Sequence, residues 1–102
     1  MTQKRRVVIT GVGAVTPLAA TAEATWKKLI EGKSGLGKIS IFDPAESSCK
    51  IAGEVAYGTD GDLFDVNKFI EPKEQRKMDR FIHFAVAAAD EAIADSGWKP
   101  ES

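Results

Sequence analysis

The sequence predicts an α/β fold, and three observations carry that reading. Val7, Val8 and Ile9 form a β-branched run between Lys4, Arg5, Arg6 and Gly11, the pattern of a strand buried on both faces. Ala22, Trp26, Leu29 and Ile30 recur at helical spacing. Met78, Phe81, Ile82, Ala85, Val86, Ala89, Ala92 and Ile93 fall on one face of a 3.6-residue helix. A strand that is apolar on both faces needs neighbours on both sides, and no partner sheet is evident. The 102 residues therefore read as an incomplete part of one domain, with no internal boundary from 1 to 102.

The elements follow in order. After the strand, Gly11 and Gly13 permit a tight turn or a close backbone approach. A dinucleotide fingerprint would need glycine at position 16, where the chain has Thr16. Pro17 pushes Thr16 away from helical geometry, so no phosphate-facing helix starts there. Thr21 and Glu23 provide a helix start, the helix runs from Ala22 to Glu31, and Gly32 stops it. Residues 33–38, with Gly35 and Gly37, read as a flexible connection, and residues 39–50 as irregular with a turn at Asp43-Pro44. A short strand is expected from Ile51 to Val55 and a loop from Tyr57 to Asp65. One helical turn, Val66 to Ile70, precedes Pro72. The last helix is expected from Lys73 to Ser96, roughly 35 Å long at 1.5 Å per residue. Gly97 ends it and Pro100 forbids a long extension.

Composition excludes several classes of function. Charged residues are 28% and the hydrophobic set 43%, ordinary for a globular protein. A net charge of −1 gives no bulk attraction to nucleic acid or membrane, so electrostatic recognition must be local. No run approaches the roughly 20 apolar residues of a membrane span, and no signal-peptide core follows Arg6. The single cysteine, Cys49, fits a reducing compartment, and cytoplasmic residence is expected.

No catalytic constellation is visible. Cys49 lies in a polar stretch without a nearby base to lower its pKa. His83, the one histidine, sits beside an apolar helical face and reads as a packing residue. One His and one Cys make a poor metal site, and Asp60, Asp62 and Asp65 lack the order of a calcium loop. No cofactor is expected. The one unusual cluster is basic. Lys73, Arg76, Lys77 and Arg80 stand at i, i+3, i+4 and i+7, a stripe opposite the apolar face. These cations oppose the macrodipole at a helix start, as Asp90, Glu91 and Asp95 do at its end, each costing about 0.3–1 kcal/mol when exposed. Two readings stand: a basic patch for an anionic partner, or a solvated face neutralised by Glu71, Glu74 and Asp79.

Residues 4–17 (KRRVVITGVGAVTP), Thr25-Trp26-Lys27, Gly32-Lys33-Ser34-Gly35, Phe42-Asp43 and above all residues 73–79 (KEQRKMD) resemble the N-terminus of the β-ketoacyl-acyl-carrier-protein synthases, the synthase II kind in particular. The resemblance runs from Lys4 to Gly97. It departs at Leu18-Ala19-Ala20, where the family commonly has glycine two places after the proline. It implies a thiolase-like layered αβαβα fold, of which this chain is the N-terminal portion, and a homodimer. It implies a decarboxylative Claisen condensation of an acyl thioester with malonyl carrier in fatty-acid elongation. The family's catalytic cysteine and two histidines lie beyond this stretch, and neither Cys49 nor His83 matches their motifs. The resemblance also gives Lys73, Arg76 and Lys77 a role, docking the acidic, phosphopantetheinylated acyl carrier protein; Arg80 has none to carry over. A catalytically silent relative, such as a chain-length factor, and a non-catalytic carrier-binding module are the alternatives.

The 102-residue chain by itself is expected to be inactive. Incubated with acyl-carrier and malonyl-carrier substrates, it should yield no β-ketoacyl product; product above a heat-killed control overturns the reading.

Overall fold

The computed structural model describes residues 3–99, and the expectation for Pro100 lies outside them. Helix α1 (Ala22–Ile30) forms where its periodicity places it. The Thr21 hydroxyl accepts the Ala24 N–H at 3.2 Å, satisfying one of the donors that a helix start leaves free. At the other end Gly32 adopts φ 77°, and its N–H donates to the Leu29 carbonyl while Lys33 N–H donates to that of Lys28. This reversed pair is a Schellman ending, which glycine reaches without steric cost. The apolar face of α1 is uncovered: Trp26 is 63% exposed, and the one buried residue is Thr25.

Two short strands follow, β1 (Leu36–Lys38) and β2 (Ile51–Gly53), paired antiparallel with Leu36 opposite Gly53 and Lys38 opposite Ile51. The expected strand at Ile51 is thus present but shorter. The reading of residues 33–38 as a flexible connection is corrected. Gly37 is a poor strand former, and the ladder to β2 orders it. The expected turn at Asp43-Pro44 forms, with Asp43 Oδ1 accepting Ala45 N–H and Pro44 O accepting Ser47 N–H.

The strand expected at Val7, Val8 and Ile9 does not form. Among the described residues no segment pairs with it, and its side chains are 91%, 71% and 84% exposed. A strand's amides need a partner strand, and sequence patterning cannot supply one. Further along, this segment lies directly on the last helix. A Cβ on Gly13 would collide with the Ala88 carbonyl oxygen, and one on Gly11 with that of Ala92. Ala88, Ala92 and Ser96, one turn apart, form the matching small-residue row, so the alanines do mark a close approach.

The core is small and sits where the sequence reads as loop. Phe64 is 1% exposed and meets Tyr57 edge-on (5.1 Å between centroids), Phe84 edge-on (5.5 Å) and Phe69 in a stack (6.0 Å). Its N–H donates to Ala56 O and its carbonyl accepts from Gly58 N–H, closing the loop around it. The expected turn appears as a 3-10 turn over Val66–Lys68, capped by Asp65. The Cα radius of gyration is 17.1 Å, against about 13 Å for a compact chain of this length.

The single long helix is also corrected. The chain forms α2 (Pro72–Gln75), turns through residues 76–79, and starts α3 (Arg80–Ser96) after Asp79 in extended backbone. Gly97 ends α3 at φ 74°, as expected. The apolar spacing of Met78, Phe81 and Ile82 continues across the break, so periodicity alone does not reveal it.

Gly13→Ala is expected to destabilise the protein by about 1–3 kcal/mol through overpacking. Gly37→Ala, whose Cβ would meet nothing within 4 Å, serves as the control. Urea unfolding of both variants, in the protein expressed from its complete gene, checks this; a Gly13→Ala midpoint no lower than the control's removes the seam from the account.

Candidate functional site

The basic residues lie on the corner between α2 and α3. Lys73 is on α2, while Arg76 and Lys77 are on the turn after it, all three exposed. Lys77 Nζ lies 3.5 Å from Glu74 Oε1, an exposed pair of small energetic weight. Among the described residues Lys73 and Arg76 take part in no ion pair, and they flank a shallow hollow of about 260 Å³ beside Pro72. Among the described residues neither Glu71 nor Asp79 forms an ion pair with the cluster, and Glu74 reaches Lys77 alone.

Arg80 leaves the stripe. Its guanidinium sits over the Tyr57 ring at 4.4 Å and donates to the Val55 carbonyl at 2.8 Å. The helix break turns it away from a common face with Lys73 and Arg76, and the aromatic ring with the carbonyl holds it there. The corner is held from below as well. Gln75 Nε2 donates to Asn67 Oδ1 and to the Ile70 carbonyl, both at 2.8 Å. His83, 7% exposed, lies between Gln75 and Tyr57. Its Nε2 is 3.3 Å from the Gln75 carbonyl, which only accepts, so that nitrogen carries the proton. In the neutral ring Nδ1 then accepts from the Tyr57 hydroxyl at 3.0 Å. The packing role read from the sequence holds, with two hydrogen bonds that apolar periodicity does not foretell.

Behind Arg80 opens a cleft of about 560 Å³, lined by Ser40, Ile41, Glu54, Val55, Tyr57 and Arg80 among others. Its polar groups are engaged. Glu54 accepts from the Ser40 hydroxyl at 2.8 Å and from the Ser40 and Ile41 N–H groups at 3.0 and 3.1 Å. The Ser40 hydroxyl, and after it those N–H groups and the charge of Arg80, hold the Glu54 carboxyl below the usual carboxylate range, against an opposing effect of desolvation. Cys49 is exposed and bonds only to the Ile51 carbonyl, at 3.3 Å. Among the described residues no group of three His, Cys, Asp or Glu side chains is arranged around a metal position. What the exposed part of this arrangement offers is charge for recognition.

The acidic end of α3 has an internal explanation. Glu91 accepts from Ala14 N–H at 2.9 Å and from Ala22 N–H at 3.1 Å, and Asp95 accepts from Val12 N–H at 3.0 Å. Two of the three carboxylates that oppose the helix's own dipole thus serve backbone donors of another segment. With the helix broken at residues 76–79, Lys73 lies in the last turn of α2, and Arg76 and Lys77 lie in the turn between the helices. The expected opposition to a long helix's dipole is thus absent at the basic end, and the case for a partner there rests on exposed charge.

Residues 4–102 match the family described as beta-ketoacyl synthase, N-terminal domain. The chain is 48% identical over 99 residues to 3-oxoacyl-[acyl-carrier-protein] synthase 2 of Rhizobium meliloti (strain 1021), covering 96% of this chain and 24% of that protein. It is 44% identical to the synthase 2 of Synechocystis sp., covering 92% of this chain and 21% of that protein. Among solved structures, the ishigamide ketosynthase/chain length factor superposes with a TM-score of 0.77 at 31% identity, over 95% of this chain and 23% of that one. The chain spans about a quarter or less of the length of these relatives. Their likeness places it in a thiolase-like α/β fold. Among the described residues no helix is long and apolar enough to cross a membrane.

Because the folded Glu54 carboxyl titrates below its unfolded counterpart, its contribution to stability is complete above the unfolded carboxylate range. It is lost as pH falls through the lowered value. Carbon-13 NMR titration should place the Glu54 midpoint below that of ordinary glutamates, and Ser40→Ala should raise it. A midpoint that Ser40→Ala leaves unmoved contradicts the assignment.

Proposed function

The chain belongs to the family of β-ketoacyl synthase N-terminal domains, condensing enzymes, and on that premise we propose that it is the carrier-docking N-terminal part of a β-ketoacyl-acyl-carrier-protein synthase II. Residues 1–102 form an undivided part of that domain in this reading. The whole protein condenses an acyl thioester with malonyl carrier protein: a cysteine thiolate takes the acyl group, malonyl loses carbon dioxide, and the resulting carbanion attacks the acyl carbonyl and releases the thiolate. The cysteine and the two assisting histidines belong to other parts of the family's sequence. The protein acts as a homodimer in the cytoplasm.

Within that protein this chain contributes recognition. The observation that carries the reading is the pair of exposed cations Lys73 and Arg76, in no ion pair among the described residues, with Lys77 beside them on a corner that its neighbours hold in place. An acidic carrier meets such a corner by charge steering, which raises the association rate more than it prolongs the complex. The curated relatives at 44% and 48% identity carry the name of synthase 2, which favours an active synthase. The 31% identity to a ketosynthase/chain length factor keeps a silent partner subunit as the second reading. A nucleophilic cysteine encoded further along the complete gene separates the two.

In the protein expressed from its complete gene, Lys73→Ala, Arg76→Ala and Lys77→Ala combined should slow association with the acidic carrier by about tenfold or more at low salt. The difference should shrink as salt rises, because screening acts on the same term. Surface plasmon resonance across a salt series measures both. If the triple variant associates like wild type at low salt, the cluster is a solvated face and the docking proposal fails.

A further inference from the structure

The basic corner has little to hold it from within. Helix α2 is four residues long, far below the length at which a helix persists in water. Neither Glu71 before α2 nor Asp79 before α3 makes a side-chain cap bond. The turn between them rests on short-range backbone bonds, Arg76 and Lys77 N–H to Glu74 O and Met78 N–H to Gln75 O, the last stretched to 3.3 Å. A segment built this way samples many directions unless something outside it fixes one.

Two outside contacts do so: the Gln75 side chain, which donates to Asn67 Oδ1 and the Ile70 carbonyl, and His83, from the first turn of α3. The His83 Nε2–H donates at 3.3 Å to the Gln75 carbonyl, the last of α2, whose second lone pair takes the stretched bond from Met78 N–H. The ring is buried, and with Nε2–H set by the carbonyl the Tyr57 hydroxyl donates to Nδ1 and holds the ring's other edge. Tyr57 is itself packed edge-on against Phe64, which is 1% exposed, and carries Arg80 on its face. Besides the Gln75 side-chain bonds, the core thus reaches the corner through a line of one aromatic contact and two hydrogen bonds: Phe64, Tyr57, His83, Gln75 carbonyl. Arg76 and Lys77 are the next two residues along the chain.

We infer that His83 is a positioning residue for the docking corner: by holding the Gln75 carbonyl it fixes the direction in which Lys73, Arg76 and Lys77 are presented. It carries none of the recognition charge itself. The inference rests on the docking proposal for its functional consequence, while the clamp itself is testable without any carrier.

The test compares three substitutions in the protein expressed from its complete gene. His83→Gln places an amide N–H near the former Nε2 and can keep the bond to Gln75. His83→Asn places its polar atoms near the former Nδ1 and cannot reach that carbonyl, and His83→Phe fills the space with neither group. Amide hydrogen exchange of Arg76, Lys77 and Met78 should quicken by about threefold to tenfold in the Asn and Phe variants, the worth of one ordinary hydrogen bond, and little in His83→Gln. Carrier association should follow the same order at low salt. Its salt dependence should stay at the wild-type slope, because no charge of the corner is removed. Where His83→Phe does not fold, Tyr57→Phe replaces it: it deletes only the hydroxyl that holds the ring at Nδ1, and it should quicken exchange at the same three amides. Unchanged exchange in every folded variant overturns the clamp. So does an order of effects that follows thermal midpoint alone, with His83→Gln falling as far as His83→Asn. Quickened exchange with wild-type association overturns the positioning role and leaves the docking proposal to the triple-alanine result, which fails or stands separately.

Discussion

The carboxylate of Glu91 is the contact on which the described structure most depends. From the last third of α3 it reaches two backbone donors that are far from it in sequence, Ala14 N–H and Ala22 N–H. Ala22 is the first residue of α1, so the charge sits at that helix's positive end. Thr21 serves the third amide of the same turn, and between them the start of α1 loses two of its unsatisfied donors. Charge-assisted bonds of this kind are roughly twice as strong as neutral ones. One turn further along α3, Asp95 takes Val12 N–H, and the two acids bind the crossing segment on either side of the Gly13 contact.

Polar ties do much of the work because the apolar core is slight. Phe64 and its aromatic neighbours form one cluster, and Ala19, Ile70 and Ala87 add little volume. The loop that carries Phe64 is joined to the Thr16–Ala19 turn by Ala20 N–H to Asp62 O, and by Lys28, which donates to Leu18 O at 2.8 Å and meets Asp62 at 3.2 Å. Thr16 organises that turn, accepting from Leu18 and Ala19 N–H and meeting the buried Thr25 hydroxyl at 2.9 Å. The departure at Ala19 is accommodated: the residue is buried, and no non-glycine residue among those described has positive φ.

What the sequence discloses is local. Both ends of α1 follow from Thr21 and Gly32, the end of α3 from Gly97, and the failure of a helix to start at Thr16 from Pro17. The basic residues and their likeness to condensing enzymes are also legible in the run from Lys73 to Asp79. What escapes is set by partners distant in the chain. Strand β1 contains a glycine and exists through its pairing with β2. Phe64 lies among glycine and aspartate, which mark a loop and say nothing of what the loop covers. The break before Arg80 is hidden because its apolar residues keep helical spacing. The destination of Arg80, over Tyr57 and against Val55, depends on residues more than twenty positions away. The bonds of Glu91 span 77 and 69 positions and leave no periodic trace.

The uncovered run at residues 7–9 bears on how copies of this chain meet. Val7, Val8 and Ile9 are exposed, and among the described residues no strand pairs with their amides. A β-branched run of this kind is a ready template for wrong pairing between chains. Lys4, Arg5 and Arg6 immediately before it place three positive charges beside that template. Pairing between copies would bring those like charges together, and their repulsion opposes it.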